Sequence, residues 1–262
     1  MSWQAHVAPL LLTLLLWWGS TAVIARMIVG HPQRYRGLLQ VFSLIGLGGL
    51  AAIVMLRDVT TGNSAMTALL AALAVWSWIE VTFLTGRVTG LAARRSDGST
   101  RLVSQGFFAR AAAALAAILW HELLIIATVL VVAITTVGGA NDLALSVLLL
   151  LWLMRSSAKL NLFLGVRNLG EGFFPPHLQH LLDFMRQRRM NPLMPVSLLL
   201  GVLLSIHFGN VALAAESAHG AAAATILGTL AALATLEHLL MILPVPAEAL
   251  WRWSLANRRS SS

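Results

Sequence analysis

The sequence predicts an all-α, polytopic transmembrane bundle of about seven helices, and three observations carry that prediction. Hydrophobic residues fill 58% of the 262 positions against 11% charged, and mean hydropathy is +0.80, a balance far from that of a soluble domain. Apolar segments recur at residues 8–29, 38–56, 66–85, 107–137, 143–166, 194–214 and 221–243, and a ~30 Å hydrocarbon core needs ~20 helical residues to cross. The basic residues alternate between the two ends of these segments. Of the 18 Lys and Arg, all but Arg57, itself offset by Asp58, fall on one side. By the positive-inside rule this predicts a periplasmic N-terminus and a cytoplasmic C-terminus. Residues 1–262 read as a single integral membrane domain with cytoplasmic loops 86–106 and 167–193. The net charge of +8 then reflects topology, and a nucleic-acid partner is not expected. The absence of cysteine excludes disulfides, thiolate-ligated haem and cysteine-bound iron–sulfur clusters.

Taken in order, the first segment lacks a basic leader-type start and is longer than a signal-peptide core, which predicts a retained helix. The third carries Glu80, seven residues before Arg87 and therefore ~10 Å from the boundary along a helix. The fourth, AAAALAAILWHELLIIATVLVVAITTV, places His121 and Glu122 ~15–20 Å from Gly106. The fifth carries Lys159 and Asn161. If it continues as a helix to the Pro175-Pro176 stop, then Ser157, Asn161, Gly165, Asn168 and Gly172 form a polar stripe with Glu171 beside it. After the prolines, HLQHLLDFMRQRR predicts a short interfacial helix. Its Leu178, Leu181, Leu182 and Met185 would face the bilayer, and His177 and His180 one common spot. The sixth segment is plain, and the seventh carries Glu237 and His238 near the Pro244 and Pro246 boundary. Most of the tryptophans fall near segment ends, as an interfacial belt, while Trp76 lies one turn from Glu80.

An intramembrane carboxylate costs roughly 2.5–3.5 kcal/mol near a helix centre on insertion scales, so such groups face the bundle interior and find partners. All of these groups favour one leaflet, which predicts convergence on a cavity open to the cytoplasm. Glu80, His121, Glu122, Glu237 and His238, with Glu171, His177 and His180, match the inventory of a carboxylate–histidine metal site such as a di-iron centre. Lys159, Asn161, Asn168 and Trp76 would support it. The spacing is not Glu-x-x-His, however, and neighbouring residues on a helix diverge by 100°. Interhelical pairing is the competing reading, Glu80 with Lys159 or Arg87 and Glu122 with His238. A third concerns His121 alone: Ala117 one turn before it leaves room for a flat macrocycle, resembling the Ala-x-x-x-His helices that ligate bacteriochlorophyll.

The blocks WSWIEVTFLTGRVTG (Trp76 to Gly90), WHELLIIA (Trp120 to Ala127), KLNLFLGVRNLGEGFFPPHLQHLLDFMRQRRMNPLMP (Lys159 to Pro195) and LEHLLMILPVP (Leu236 to Pro246) together resemble the PuhE family, photosynthetic complex assembly protein 2. The resemblance covers most of the chain. It implies a multi-pass protein of the cytoplasmic or intracytoplasmic membrane of anoxygenic phototrophic bacteria, associated with reaction-centre and light-harvesting complex assembly and with bacteriochlorophyll supply. No catalytic residue transfers from it. Two functional readings follow. One is an assembly factor that holds a reaction-centre or light-harvesting subunit or a pigment. The alternative is a membrane metalloenzyme, a di-iron oxidase or hydroxylase acting on a lipophilic tetrapyrrole or carotenoid. A transporter ranks last, because no inverted repeat is visible.

Overall fold

The computed structural model describes residues 2–30, 32–90 and 106–245. Among the described residues, seven helices are long and apolar enough to cross a membrane: α1 Ala8–Gly30, α2 Tyr35–Leu56, α3 Gly62–Leu84, α4 Phe107–Thr136, α5 Leu143–Leu164, α6 Leu193–Ala214 and α7 Ala218–Ile242. Among the described residues there is no strand, only an isolated parallel bridge between Val166 and Gln187. The all-α class and the number of spans agree with the sequence reading. Residues 91–105, most of the first predicted loop, and the tail 246–262 lie outside the described residues.

Helix starts follow local chemistry. Thr61 and Ser64 form a capping box on α3, each side chain accepting from the other's backbone N–H. Ser217 accepts from Gly220 N to start α7, and Asn191 Oδ1 accepts from Leu193 N and Met194 N to start α6. Helices α3 and α7 form the centre, contributing Leu69, Val75 and Ile79 and Ile226, Leu230 and Ala231 to a core completed by Ile125, Val132, Val147 and Leu148. Neighbours α2–α3 and α6–α7 pack most extensively, and small residues let them do so. A Cβ on Gly49 of α2 would stand 2.7 Å from the Ala71 carbonyl of α3, so only glycine permits that approach.

Two expectations are corrected at one end of the bundle. The fifth helix does not run on to the prolines: it ends at Leu164, and Gly165 takes φ +124°, a backbone region that favours glycine. The stripe Ser157, Asn161, Gly165, Asn168, Gly172 is therefore broken after Asn161. Nor does the following segment lie on the bilayer. Pro176–Phe184 is a 3₁₀ helix whose Leu178, Leu181 and Phe184 are buried against Ala117 of α4 and pack on Phe83, Leu84 and Ala113. It plugs the bundle from that end, because Leu178 and Leu181, three residues apart, eclipse on a 3₁₀ helix and present one apolar edge.

Candidate functional site

The sequence-predicted polar residues divide into separate groups. The first joins α3, α4 and α5. Glu80 Oε2 accepts from Arg155 Nη2 at 3.4 Å, and Glu80 Oε1 stands 4.0 Å from His121 Nε2. On the next turn, Lys159 Nζ donates to Glu122 Oε1 at 2.5 Å and Trp152 Nε1 to Glu122 Oε2 at 3.1 Å. Four charges and one imidazole thus form two adjoining ion pairs, and His121 rests against the Phe83 ring with centroids 4.6 Å apart. Arg155 lies nine residues from the end of α5, ~13 Å inside it at 1.5 Å per residue. Both cations arise from the i, i+4 pattern Arg155, Lys159, which aligns them on one face.

This group is not closed. Glu80 is 9% exposed and His121 2%, yet among the described residues Glu80 Oε1 and His121 Nδ1 have no hydrogen-bond partner. The Arg155 side chain is 49% exposed although it faces away from the exposed leucines of α5: Leu149, Leu153 and Leu160 cluster on one side of the wheel, and Arg155 lies ~140° round from them.

The second group joins α5, α6 and α7. His238 is 1% exposed; its Nδ1 meets the Ala234 carbonyl at 2.8 Å and its Nε2 the Ser157 hydroxyl at 3.0 Å. Ser157 reaches Ser197 at 2.9 Å, and Asn161 donates to Ser197 Oγ at 2.9 Å and to the Ser157 carbonyl. Asn191 donates to Asn161 Oδ1 at 3.1 Å and to the Gly165 carbonyl at 2.9 Å. Every member is engaged. Glu237 points elsewhere, accepting from Trp17 Nε1 of α1 at 3.0 Å.

The remaining candidates are dispersed. Asn168 donates to the Leu240, Leu243 and Val245 carbonyls and closes the end of α7. Glu171 is exposed in a short 3₁₀ turn, and Trp76 is a core residue. His177 donates from Nε2 to the Leu84 carbonyl at 3.0 Å and stacks edge-on to Tyr35 at 5.6 Å, while His180 is half-buried on the same 3₁₀ turn. The pairings differ from the expected ones. Glu80 takes Arg155 rather than Lys159 or Arg87, and Glu122 takes Lys159 rather than His238. Sequence reasoning counted Arg155 among the loop cations; its position twelve residues into an apolar segment, one turn before Lys159, is the signal that places it inside.

A metal ion fits this arrangement poorly. Among the described residues no three His, Asp or Glu side chains are grouped to hold one, and the space between the carboxylates is taken by a guanidinium and an ammonium. The Ala117 face that would admit a macrocycle beside His121 is covered by Leu178, Leu181 and Phe184.

The family "Protein of unknown function (DUF3623)" matches residues 3–262. A relative from Rhodobacter capsulatus, described as an uncharacterized 30.4 kDa protein in the puhA 5′ region, is 33% identical over 252 residues, covering 94% of this chain and 90% of the relative. No solved structure matches.

Proposed function

The chain belongs to the DUF3623 family, and from that premise we propose that it is a membrane-embedded assembly factor for the photosynthetic reaction centre and light-harvesting complex. On this reading it sits in the cytoplasmic or intracytoplasmic membrane with its basic end inside, and it is linked to bacteriochlorophyll supply. Support for the photosynthetic role comes from the relative beside puhA, the reaction-centre gene region of a phototroph, and from the PuhE resemblance. One observation supports a holding rather than a purely scaffolding role: Glu80 and His121 are buried, yet among the described residues Glu80 Oε1 and His121 Nδ1 have no hydrogen-bond partner, and the Arg155 beside them is half-exposed. A guanidinium carries five donors, and Arg155 gives one of them to Glu80 at 3.4 Å. Unsatisfied polar groups in a bilayer cost several kcal/mol each, on the order of a whole hydrogen bond. An acidic or carbonyl group from a subunit helix or a pigment substituent would complete the set.

The test is co-purification from a phototrophic host, in mild detergent, of the tagged wild type beside Arg155→Gln. Wild type is expected to retain reaction-centre or light-harvesting subunits or pigment, and Arg155→Gln to lose them at unchanged abundance. Equal retention by both proteins would remove the cluster from the function. A wild type that retains neither subunit nor pigment would count against the assembly role itself. The metalloenzyme reading gains no specific observation, since cations occupy the carboxylates it needs.

A further inference from the structure

At the basic end, away from the cluster, lies an open slot of about 820 Å³ between the start of α2 and the residues just past α3, lined by Arg36, Leu39, Gln40, Ser43, Leu44, Arg87 and Val88. We infer that it binds one phospholipid with a net-negative headgroup. Residues 36, 39, 40 and 43 follow the i, i+3, i+4, i+7 spacing of a single helix face, so the polar members form a line running into the membrane. Arg36 is the second residue of α2 and Ser43 lies seven further on, ~10 Å deeper at 1.5 Å per residue.

What the lining lacks is as informative as what it holds. No carboxylate contributes to it, and among the described residues neither Arg36 nor Arg87 has an ion pair. Hydroxyls in lipid-crossing helices usually turn back to a carbonyl one turn earlier, as Thr13, Thr21, Thr128, Ser205 and Thr229 do at 2.7–2.8 Å. Ser43, like Ser77, Ser146 and Ser156, differs from many hydroxyls of the spans in this respect. Among the described residues no such bond is formed by Ser43, nor does Gln40 make a side-chain bond within the protein. Four polar side chains therefore line the slot without a partner among the described residues, the guanidinium groups of Arg36 and Arg87 towards the helix ends and two neutral donors, Gln40 and Ser43, further along α2.

That gradient matches one chemistry. Guanidinium groups take a phosphodiester in two-point hydrogen bonds, and basic pockets at helix ends are the usual seats of anionic headgroups. The amide and hydroxyl stand where glycerol ester carbonyls follow the phosphate inward, and Leu39, Leu44 and Val88 give the acyl chains an apolar wall. Free phosphate would use only the arginines. Two positive charges with no nearby acid favour a headgroup such as phosphatidylglycerol over a zwitterionic one.

The experiment titrates delipidated full-length protein in dodecyl maltoside with phosphatidylglycerol, with phosphatidylcholine and with inorganic phosphate as competitor, read by native mass spectrometry. Wild type should retain one phosphatidylglycerol per chain at least tenfold more tightly than phosphatidylcholine. The double variant Arg36→Gln with Arg87→Gln should lose that preference, and Gln40→Ala with Ser43→Ala should weaken both lipids about threefold. The second pair also keeps the test decisive if the arginine variant fails to fold. Equal retention of phosphatidylglycerol by wild type and both double variants would overturn the site. So would equal affinity for the two lipids, or full displacement by millimolar phosphate, which would make it a free-phosphate site.

Discussion

Two buried histidines, His121 and His238, are almost equally hidden, at 2% and 1% exposure, and they are built into opposite kinds of surroundings. His238 uses both ring nitrogens, and the chain Ser157, Ser197, Asn161, Asn191 carries its hydrogen bonds to the junction where α5 ends and α6 begins. His121 leaves Nδ1 without a partner among the described residues and meets Glu80 only at 4.0 Å. A fully satisfied polar network rigidifies a core, while a partly satisfied one is costly and retained for another reason. Burial therefore does not separate structural from functional polar residues here; completion does. On the proposed reading the His238 network serves stability and the His121 cluster the holding role.

The comparison is broken most directly at Asn191. Its amide donates to the Asn161 side chain and backbone and to the Gly165 carbonyl, and its oxygen accepts from Leu193 N and Met194 N. At a net ~0.5–1.5 kcal/mol per hydrogen bond, Asn191→Ala should cost about 3–4 kcal/mol, read as the largest loss of thermal stability in detergent among these variants. A loss below about 1 kcal/mol would show that the network is not what holds α5 to α6. Next comes Gly165→Ala. A Cβ there meets the Arg188 side chain at 2.8 Å in a backbone at φ +124°, so a destabilisation of about 1–3 kcal/mol is expected from strain and crowding together.

Much of this is legible in the sequence, and the misses share a cause. Seven spans follow from hydropathy alone, because a bilayer imposes length and apolarity on each segment separately. The identity of the buried groups follows as well, since Glu80, His121, Glu122 and His238 stand out against apolar neighbours. Their partners do not. Whether Glu122 meets His238 or Lys159 depends on how α4 and α7 are rotated about their axes, and a helix such as α7, apolar nearly all round, says little about its rotation. The overrun of α5 has a different reason. The three glycines in GVRNLGEG, at 165, 170 and 172, are breakers, but a polar spacing of four residues continues through them and suggests a helix that Gly165 ends.

The cluster itself should behave in the reverse manner. Glu80→Gln keeps shape and removes the charge that faces Arg155. Because the guanidinium is half-exposed and the contact is a single 3.4 Å bond, the loss of stability should stay near 1 kcal/mol, the scale of a partly screened pair. Its effect on retained subunits or pigment should instead match that of Arg155→Gln. A variant that loses several kcal/mol and unfolds, on the order of a fully buried pair, would move the cluster to the structural side of the comparison.

The smallest effect is also the sharpest. The two groups both draw on α5, through Arg155 and Lys159 on one side and Ser157 and Asn161 on the other, yet they share no hydrogen bond. If they are independent, Glu80→Gln and His238→Ala should add when combined, with a coupling of no more than about 0.5 kcal/mol in a double-mutant cycle on thermal or denaturant unfolding. A coupling of 1 kcal/mol or more, on the order seen between residues of one network, would mean that α5 transmits strain from one group to the other. Binding of a partner group at Arg155 would then tighten or loosen the α5–α6–α7 core, and the stable half of the bundle would report on whether the holding half is filled.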